Sequence, residues 1–459
     1  VNLAESVAAR LRTSDFDRWM GDAARVGYCS NPVKLAGSAV TLDADSGVVL
    51  REFDSGSAVD GVAYVRCGNR RAQRCASCSH EYKGDTWHMI MAGAGGGMKG
   101  VPDTVREHPT VFLTLTAPSF GAVHSEAGSR AVGVCEHGRP RGCRCGHSEN
   151  EAHLGDPVCP ECYDYERHIV WQFCAPELWR RFTIQLRRRL ARELGLTQRA
   201  AAEIVRVQFA KVAEFQKRGA VHFHAIIRLD GVDERTEFVS PPPDVTEEHL
   251  VAAIREAARS VAYEAPALPG GGARPILQWG KQIDIRPIVR RDGLEGALSD
   301  RAVAAYIAKY ATKATDDLDG AENGRKHIRM LRATAEAVAD VAEPDSAYVQ
   351  LRKWSSMLGF RGHFSSKSRR YSITLGELRG ARRRWRLDRV IQHAREDGHD
   401  TDDVLVIGQW SFAGMGWRSE ADKLLAMEAA RAAREWRAAK SRENGQGGRT
   451  DHEEQRRDH

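Results

Sequence analysis

From Ile204 to Leu229 the chain reads IVRVQFAKVAEFQKRGAVHFHAIIRL. β-Branched and aromatic residues fill both halves, and the polar link Gln216-Lys217-Arg218-Gly219 divides them. Two such runs around a short, glycine-ended link predict an antiparallel hairpin with strands over Ile204 to Phe215 and Ala220 to Leu229. Residues two apart in a strand share a face, so His222 and His224 point together while Phe223 packs behind them. Glu214 stands eight residues before His222 and is brought across the turn toward the imidazoles. Two nitrogens and one carboxylate leave coordination positions open, the arrangement by which Mg2+ or Mn2+ takes a phosphate oxygen. Gln216 is the alternative third ligand.

The flanking sequence widens this pair into a sheet with helices. Val111 to Thr116, stopped by Ala117-Pro118, reads as a buried strand, and Gln278 to Val289 alternates like another. Helical spacing marks Pro176 to Leu194, Glu247 to Tyr263, Ala297 to Thr315, His327 to Val341 and Glu420 to Lys440. Further helices are expected around Val7 to Met20 and Tyr82 to Met91. These elements predict an α+β fold, an antiparallel sheet flanked by helices. Gly93 to Gly100 is glycine-rich but lacks the G-x4-G-K-[ST] order and follows no strand, which excludes a P-loop ATPase. Residues after Ser441 are polar and read as disordered.

The helix near residue 306 carries an unusual stripe. Tyr306, Lys309, Tyr310 and Lys313 fall at i, i+3, i+4 and i+7, so two phenols and two ammonium groups share one face. A phenol with a pKa of about 10 is a weak nucleophile at neutral pH. It needs a Lewis acid to polarise its target and a cation beside the developing charge, and the His/His/Glu group with Lys309 or Lys313 supplies both.

Ten cysteines are present, and most of them cluster. Cys67, Cys75 and Cys78 form one group; Cys143, Cys145, Cys159 and Cys162 form another, with Cys135 just ahead of it. Two C-x-x-C pairs occur where chance predicts about 0.2. That spacing aims two thiolates at one tetrahedral ion, so structural Zn2+ is expected. His80, His137, His147 and His153 lie among the cysteines and could each replace a thiolate, while Cys29 and Cys174 are isolated and receive no role.

Lys and Arg total 68 against 62 Asp and Glu, a net charge of only +6, but the excess is local. Between Leu351 and Val390 there are twelve Lys/Arg against Glu377 and Asp388. Arg361, Lys367, Arg369, Arg370, Arg382, Arg383 and Arg384 are the candidate DNA contacts. Trp354, Phe360, Phe364, Tyr371 and Trp385 are interleaved with them as candidate stacking platforms. No segment is long and apolar enough to span a membrane, and no secretory leader is visible in the first twenty residues, so a cytoplasmic protein with no membrane partner is expected.

The order of FLTLT at Phe112 to Thr116, RGAVHFH at Arg218 to His224 and YIAKY at Tyr306 to Tyr310 resembles the three motifs of HUH endonucleases of the rolling-circle initiator type. CGNRR at Cys67, HLGDPVCPECY at His153 and LGFRGHFSSKSRR at Leu358 are similar to the RepSA-like initiators of actinobacterial plasmids and integrative elements. The resemblance runs from about Cys29 to Arg379. Together with the composition and spacing above, it leads to an expected catalytic core over 105–315 with a zinc insertion at 135–162, preceded by an N-terminal segment at 1–66 and a Cys-rich segment at 67–104. A basic helical DNA-binding region at 316–440 and a disordered tail at 441–459 would follow. It also implies His222, His224 and Glu214 as metal ligands and Tyr306 or Tyr310 as the group attacking one strand of origin DNA, single-stranded at the nick. The products would be a 5′-phosphotyrosine and a free 3′-hydroxyl for host polymerase, with a host helicase as a further partner. A relaxase or transposase of the same chemistry, or a zinc-containing DNA-binding regulator without catalysis, are the rival readings.

Overall fold

The computed structural model describes residues 2–128, 131–144, 147–148, 151, 153–233, 236–270, 274–288, 300–311, 325–398 and 401–454, without side chains at 300, 301, 310, 311 and 441–454. Cys145 and Lys313 lie outside the described residues. The protein is α+β, with antiparallel sheets. It divides into two compact units, one of Val1–Asp85 with Gly376–His459 and the other of Thr86–Leu375.

The second unit is built on the hairpin. Val205–Phe215 and Val221–Gly231 pair antiparallel along their full lengths, placing Glu214 directly opposite His222 and Val212 opposite His224. Thr110–Leu115 joins the far side of Val221–Gly231, and Ile283–Pro287 pairs with Thr110–Leu115. Ser365–Lys367 closes the other edge against Val205–Phe215, making five antiparallel strands.

Alternation sorts the two faces. Phe223, Ala225, Ile227 and Leu229, with Val111, Leu113 and Leu115, are buried in one apolar core. Trp171, Phe182 and Leu186 of helix Tyr165–Glu193 and Leu250, Ile254 and Ala257 of helix Glu247–Ser260 belong to the same core. The histidines therefore occupy the face away from this core.

Several boundaries differ from the sequence expectation. The helix expected from Pro176 begins at Tyr165, because Asp164 caps it by accepting from the Arg167 N–H at 2.9 Å, and Pro176 sits inside it. The strand expected over Gln278 to Val289 is split into Ile276–Gln278, paired with Ala262–Glu264, and Ile283–Pro287 in the main sheet. The break falls at Gly280, whose N–H donates to Thr116 O at 2.7 Å and whose absent Cβ would lie 2.6 Å from Ala117 O.

The first unit centres on Val33–Asp43, which pairs antiparallel with Val404–Met415, Val49–Asp54 and Ala63–Val65. Its N-terminal helix is two helices, Leu3–Leu11 and Phe16–Arg25, parted where Arg10 bonds Thr13 and Asp15. The region expected as one domain over 316–440 is thus shared, its first part folding with the hairpin sheet and its strand Val404–Met415 with the N-terminal strands. The last helix runs Glu420–Glu454, past the expected start of a disordered tail at 441.

Candidate metal and nucleophile site

Three ligating atoms meet on the open face of the hairpin. Nε2 of His222 and Nε2 of His224 each lie 3.1 Å from Oε2 of Glu214, and 3.1 Å from each other. Adjacent corners around an octahedral ion with bonds of about 2.1 Å are about 3.0 Å apart, so this donor set fits Mg2+ or Mn2+. His224 is nearly buried and stacked on Phe112 at 5.6 Å between ring centres. Its Nδ1 lies 3.0 Å from Thr114 Oγ1, its partner in the strand register. With the proton on Nδ1 donated to that hydroxyl, the Nε2 lone pair is left for the shared site. Sequence reading placed Thr114 in a strand but gave it no role; only the register, which fixes the cross-strand neighbour, reveals it.

Electrostatics agree with this arrangement. Burial pushes the Glu214 carboxyl up, but hydrogen bonds with His222 and His224 outweigh it and hold the group down at about 2. Burial keeps His224 below the ordinary imidazole value, against the opposing pull of Glu214. The result is an anionic oxygen beside a neutral ring, the protonation states that a cation requires.

Tyr306 reaches the same point from helix Asp300–Ala311. Its hydroxyl lies 3.0 Å from His224 Nε2 and 3.2 Å from Glu214 Oε2, and its ring stands edge-on to His224 at 4.9 Å. Val303, Ala304, Ile307 and Ala308 are the buried side of this helix, and Lys309 is exposed. Tyr310 belongs to the same helix, but its side chain, like all of Lys313, is outside the described residues. Gln216 is not among the three convergent groups; its side chain accepts from Arg218 Nε at 2.9 Å.

The turn between the two strands is held from several directions. Gln172, fully buried, donates to Gly219 O and accepts from the Val221 N–H, both at 2.8 Å. Gly219 takes φ +79°, a left-handed conformation that glycine adopts without strain. Arg218 donates to the Ala117 and Pro118 carbonyls at 3.0 and 2.9 Å. A cavity of about 810 Å3 opens beside this turn, with Thr116, Gln216, Lys217, Trp279 and Lys281 in its wall.

The cysteines assemble differently from their order in sequence. Cys67, Cys75 and Cys78 are joined by Cys29, to which no role had been given. Thirty-eight residues separate Cys29 from Cys67, so no local spacing signals the link. Cys159 and Cys162 gather Cys135 and His137, whereas Cys143 leaves that group to stand with His124 and His147. In this last group His147 Nε2 lies 3.1 Å from Cys143 Sγ and 3.0 Å from His124 Nδ1, while its Nδ1 bonds Glu151 Oε2 at 2.6 Å. His80 enters none of these groups, and His153 meets His147 and Glu151 instead of a thiol.

The basic candidates separate into two kinds. Arg361, Arg369, Arg370, Arg383 and Arg384 are exposed, although Arg361 also donates to Phe173 O at 3.1 Å over the Phe173 ring and Arg370 lies 3.6 Å from Glu237. Lys367 instead ties a turn through the carbonyls of Ser368, Arg369 and Ser372, and Arg382 pairs with Glu81 and Asp85. The aromatic expectation fails for Phe360, Phe364 and Tyr371, which are buried in packing; Trp385 is the exposed one. Apolar side chains adjacent to arginines in sequence were filling the interior beneath them.

Among the described residues no helix is long and apolar enough to cross a membrane. A sheet carrying a metal-fit donor set beneath a tyrosine is accompanied by relatives of one class, proteins that initiate replication. The chain belongs to the RepSA family, described as "Replication initiator protein, pSAM2", which matches residues 15–431. A replication initiator protein of Streptomyces ambofaciens is 41% identical over 415 residues, covering 88% of this chain and 87% of the relative. No solved structure matches.

Proposed function

We propose that this replication initiator nicks and rejoins one strand of origin DNA, with Tyr306 as nucleophile, to start rolling-circle replication. The observation that carries the reading is the Tyr306 hydroxyl, 3.0 Å from His224 Nε2 and 3.2 Å from Glu214 Oε2. The five-stranded antiparallel sheet with His222 and His224 on an internal strand supports an HUH-type core. A divalent cation held by Glu214, His222 and His224 would polarise the scissile phosphate.

The remaining work falls to the chain. Loss of the phenol proton makes Tyr306 an oxyanion; its oxygen forms a bond to phosphorus as the P–O3′ bond breaks, and the 3′ oxygen takes up a proton. Thr114 and Phe112 hold the His224 ring in place during this exchange. Lys309, on the same helix as Tyr306, is the nearby cation proposed to offset developing charge, and Lys313 is its alternate. Because the phosphotyrosine ester preserves the phosphodiester energy, rejoining needs no nucleotide. Tyr310, one helical turn on, would cut the regenerated origin. Exposed Arg361, Arg369, Arg370, Arg383 and Arg384 are proposed to neutralise DNA phosphates, and host polymerase and helicase would act on the released 3′ end.

The test is incubation with end-labelled single-stranded origin DNA, with Mn2+ or EDTA, followed by a denaturing gel and peptide mapping. A metal-dependent covalent adduct on Tyr306, absent from Tyr306→Phe, is expected. DNA that is bound but never cut, or an adduct that survives the Tyr306→Phe, Tyr310→Phe double substitution, overturns the proposal.

A further inference from the structure

Seven cysteines and one histidine fall into two groups whose geometry no disulfide explains. Cys29 Sγ lies 3.6 Å from Cys78 Sγ and 3.7 Å from Cys75 Sγ, and Cys67 completes a group in which all four sulfurs lie within 4.8 Å. A disulfide holds sulfurs about 2.05 Å apart. Four sulfurs bound to one tetrahedral Zn2+ at about 2.3 Å are instead about 3.8 Å apart, close to the observed separations.

Backbone groups complete the setting. The Ser30 and Cys67 N–H groups point at Cys75 and Cys29 Sγ at 3.4 Å, and the Cys78 and Asn69 N–H groups at Cys75 and Cys67 Sγ at 3.5 Å. Amide hydrogens aimed at sulfur favour thiolate over thiol. Cys29, Cys75 and Cys78 are buried among Trp19, Ala23 and Trp417, and Cys67 is partly buried beside them. By contrast Cys174 is buried alone in the other unit, with its thiol pushed up to about 12 by burial.

The second group has the same form. His137 Nδ1 lies 3.3 Å from Cys162 Sγ and 3.7 Å from Cys159 Sγ, around the edge of about 3.6 Å that Zn–N and Zn–S bonds give a tetrahedron. Cys135 and His137 sit on a tight turn closed by Cys135 N to Arg139 O at 2.7 Å and Gly138 N to Cys135 O at 2.9 Å.

We infer that the chain binds two structural zinc ions in closed sites, one held by Cys29, Cys67, Cys75 and Cys78 and one by Cys135, His137, Cys159 and Cys162. Each site has four protein ligands and no open position, so neither ion takes part in chemistry. The first fastens Cys29, just after helix Phe16–Arg25, to Cys67 beyond strand Ala63–Val65 and to the start of helix Ala76–Gly95. The second joins the Cys135 turn to the segment just ahead of helix Tyr165–Glu193, the helix whose Gln172 clamps the hairpin turn.

Metal content of the full-length protein, measured by plasma emission after dialysis against chelator-free, metal-free buffer, tests the inference independently of DNA cleavage. Cys29→Ser and Cys162→Ser are each expected to lose one zinc equivalent, the double variant two, and Cys174→Ser none. If a variant does not fold, maleimide footprinting of the wild type replaces it: the seven cysteines should stay protected until a strong chelator strips the zinc, then react together. Folded wild type with fewer than two zinc equivalents, unchanged zinc in Cys29→Ser, bound iron in its place, or disulfides in mass mapping would each overturn the inference.

Discussion

Lys211 shows what one residue can cost the interior. It faces the apolar side of the sheet, opposite Ala225, with Nζ 4.3 Å from the Phe223 ring centre and 3.5 Å from His363 O. Burial lowers its pKa from 10.5 to about 7. Between these values the unfolded chain binds a proton that the native chain does not, so stability rises with pH from about 7 toward 10. The full shift corresponds to at most about 5 kcal/mol. Lys211→Met is therefore expected to raise the melting temperature at pH 7, with the gain narrowing by pH 9; an unchanged or lowered melting temperature at pH 7 would contradict the buried-charge account. Arg228 is the opposite case. It is fully buried and donates through Nε and Nη2 to the two carboxylate oxygens of Asp230 at 2.6 and 2.7 Å, and His108 Nδ1 lies 2.8 Å from the same oxygen that Nε reaches. Arg228→Met removes the guanidinium and leaves that carboxylate short of its partner, a loss of about 3–5 kcal/mol measurable in denaturant unfolding.

At the level of elements, the hairpin that carries Glu214, His222 and His224 depends on a helix contributed from elsewhere in the chain. Gln172 satisfies one carbonyl and one N–H of the turn region, and no local sequence pattern demands a glutamine there. Gln172→Leu leaves both groups unpaired and is expected to destabilise the protein by about 2–4 kcal/mol by chemical denaturation. The proposed nicking activity is expected to fall at low metal concentration and recover partly as Mn2+ is raised, because the positions of Glu214 and His222 loosen while their chemistry stays intact. The hairpin was legible because alternation, a glycine-ended turn and the H-x-H spacing all act within a few residues. The cysteine groups were legible only as clusters, since their membership is fixed by where distant segments dock. His124 and Cys29 illustrate this, as each lies far in sequence from the groups they join.

For the whole molecule, the least legible feature was the division of the chain. Val404–Met415 carries Leu405, Val406, Ile407 and Phe412 largely exposed, so it lacks the one-sided burial that marks a strand, and its partner lies at the other end of the sequence. The tyrosine helix, in contrast, was placed near its true position because its small and apolar residues repeat at helical spacing. Ending the chain at Asp403 should lower hydrogen-exchange protection of Val33–Asp43, which keeps only its pairing with Val49–Asp54 and Ala63–Val65, while Val205–Gly231 keeps its own. Equal protection of Val33–Asp43 in both chains would show that the C-terminal strand is dispensable.

That pairing has a temporal meaning. A ribosome delivers Val33–Asp43 well before Val404–Met415, and the two pair only after everything between them has been made. The hairpin unit, complete by Leu375, can condense first, while Val33–Asp43 waits for a strand translated after it. Each newly made chain thus passes through an interval in which the hairpin unit is finished and Val33–Asp43 still lacks one of its strands.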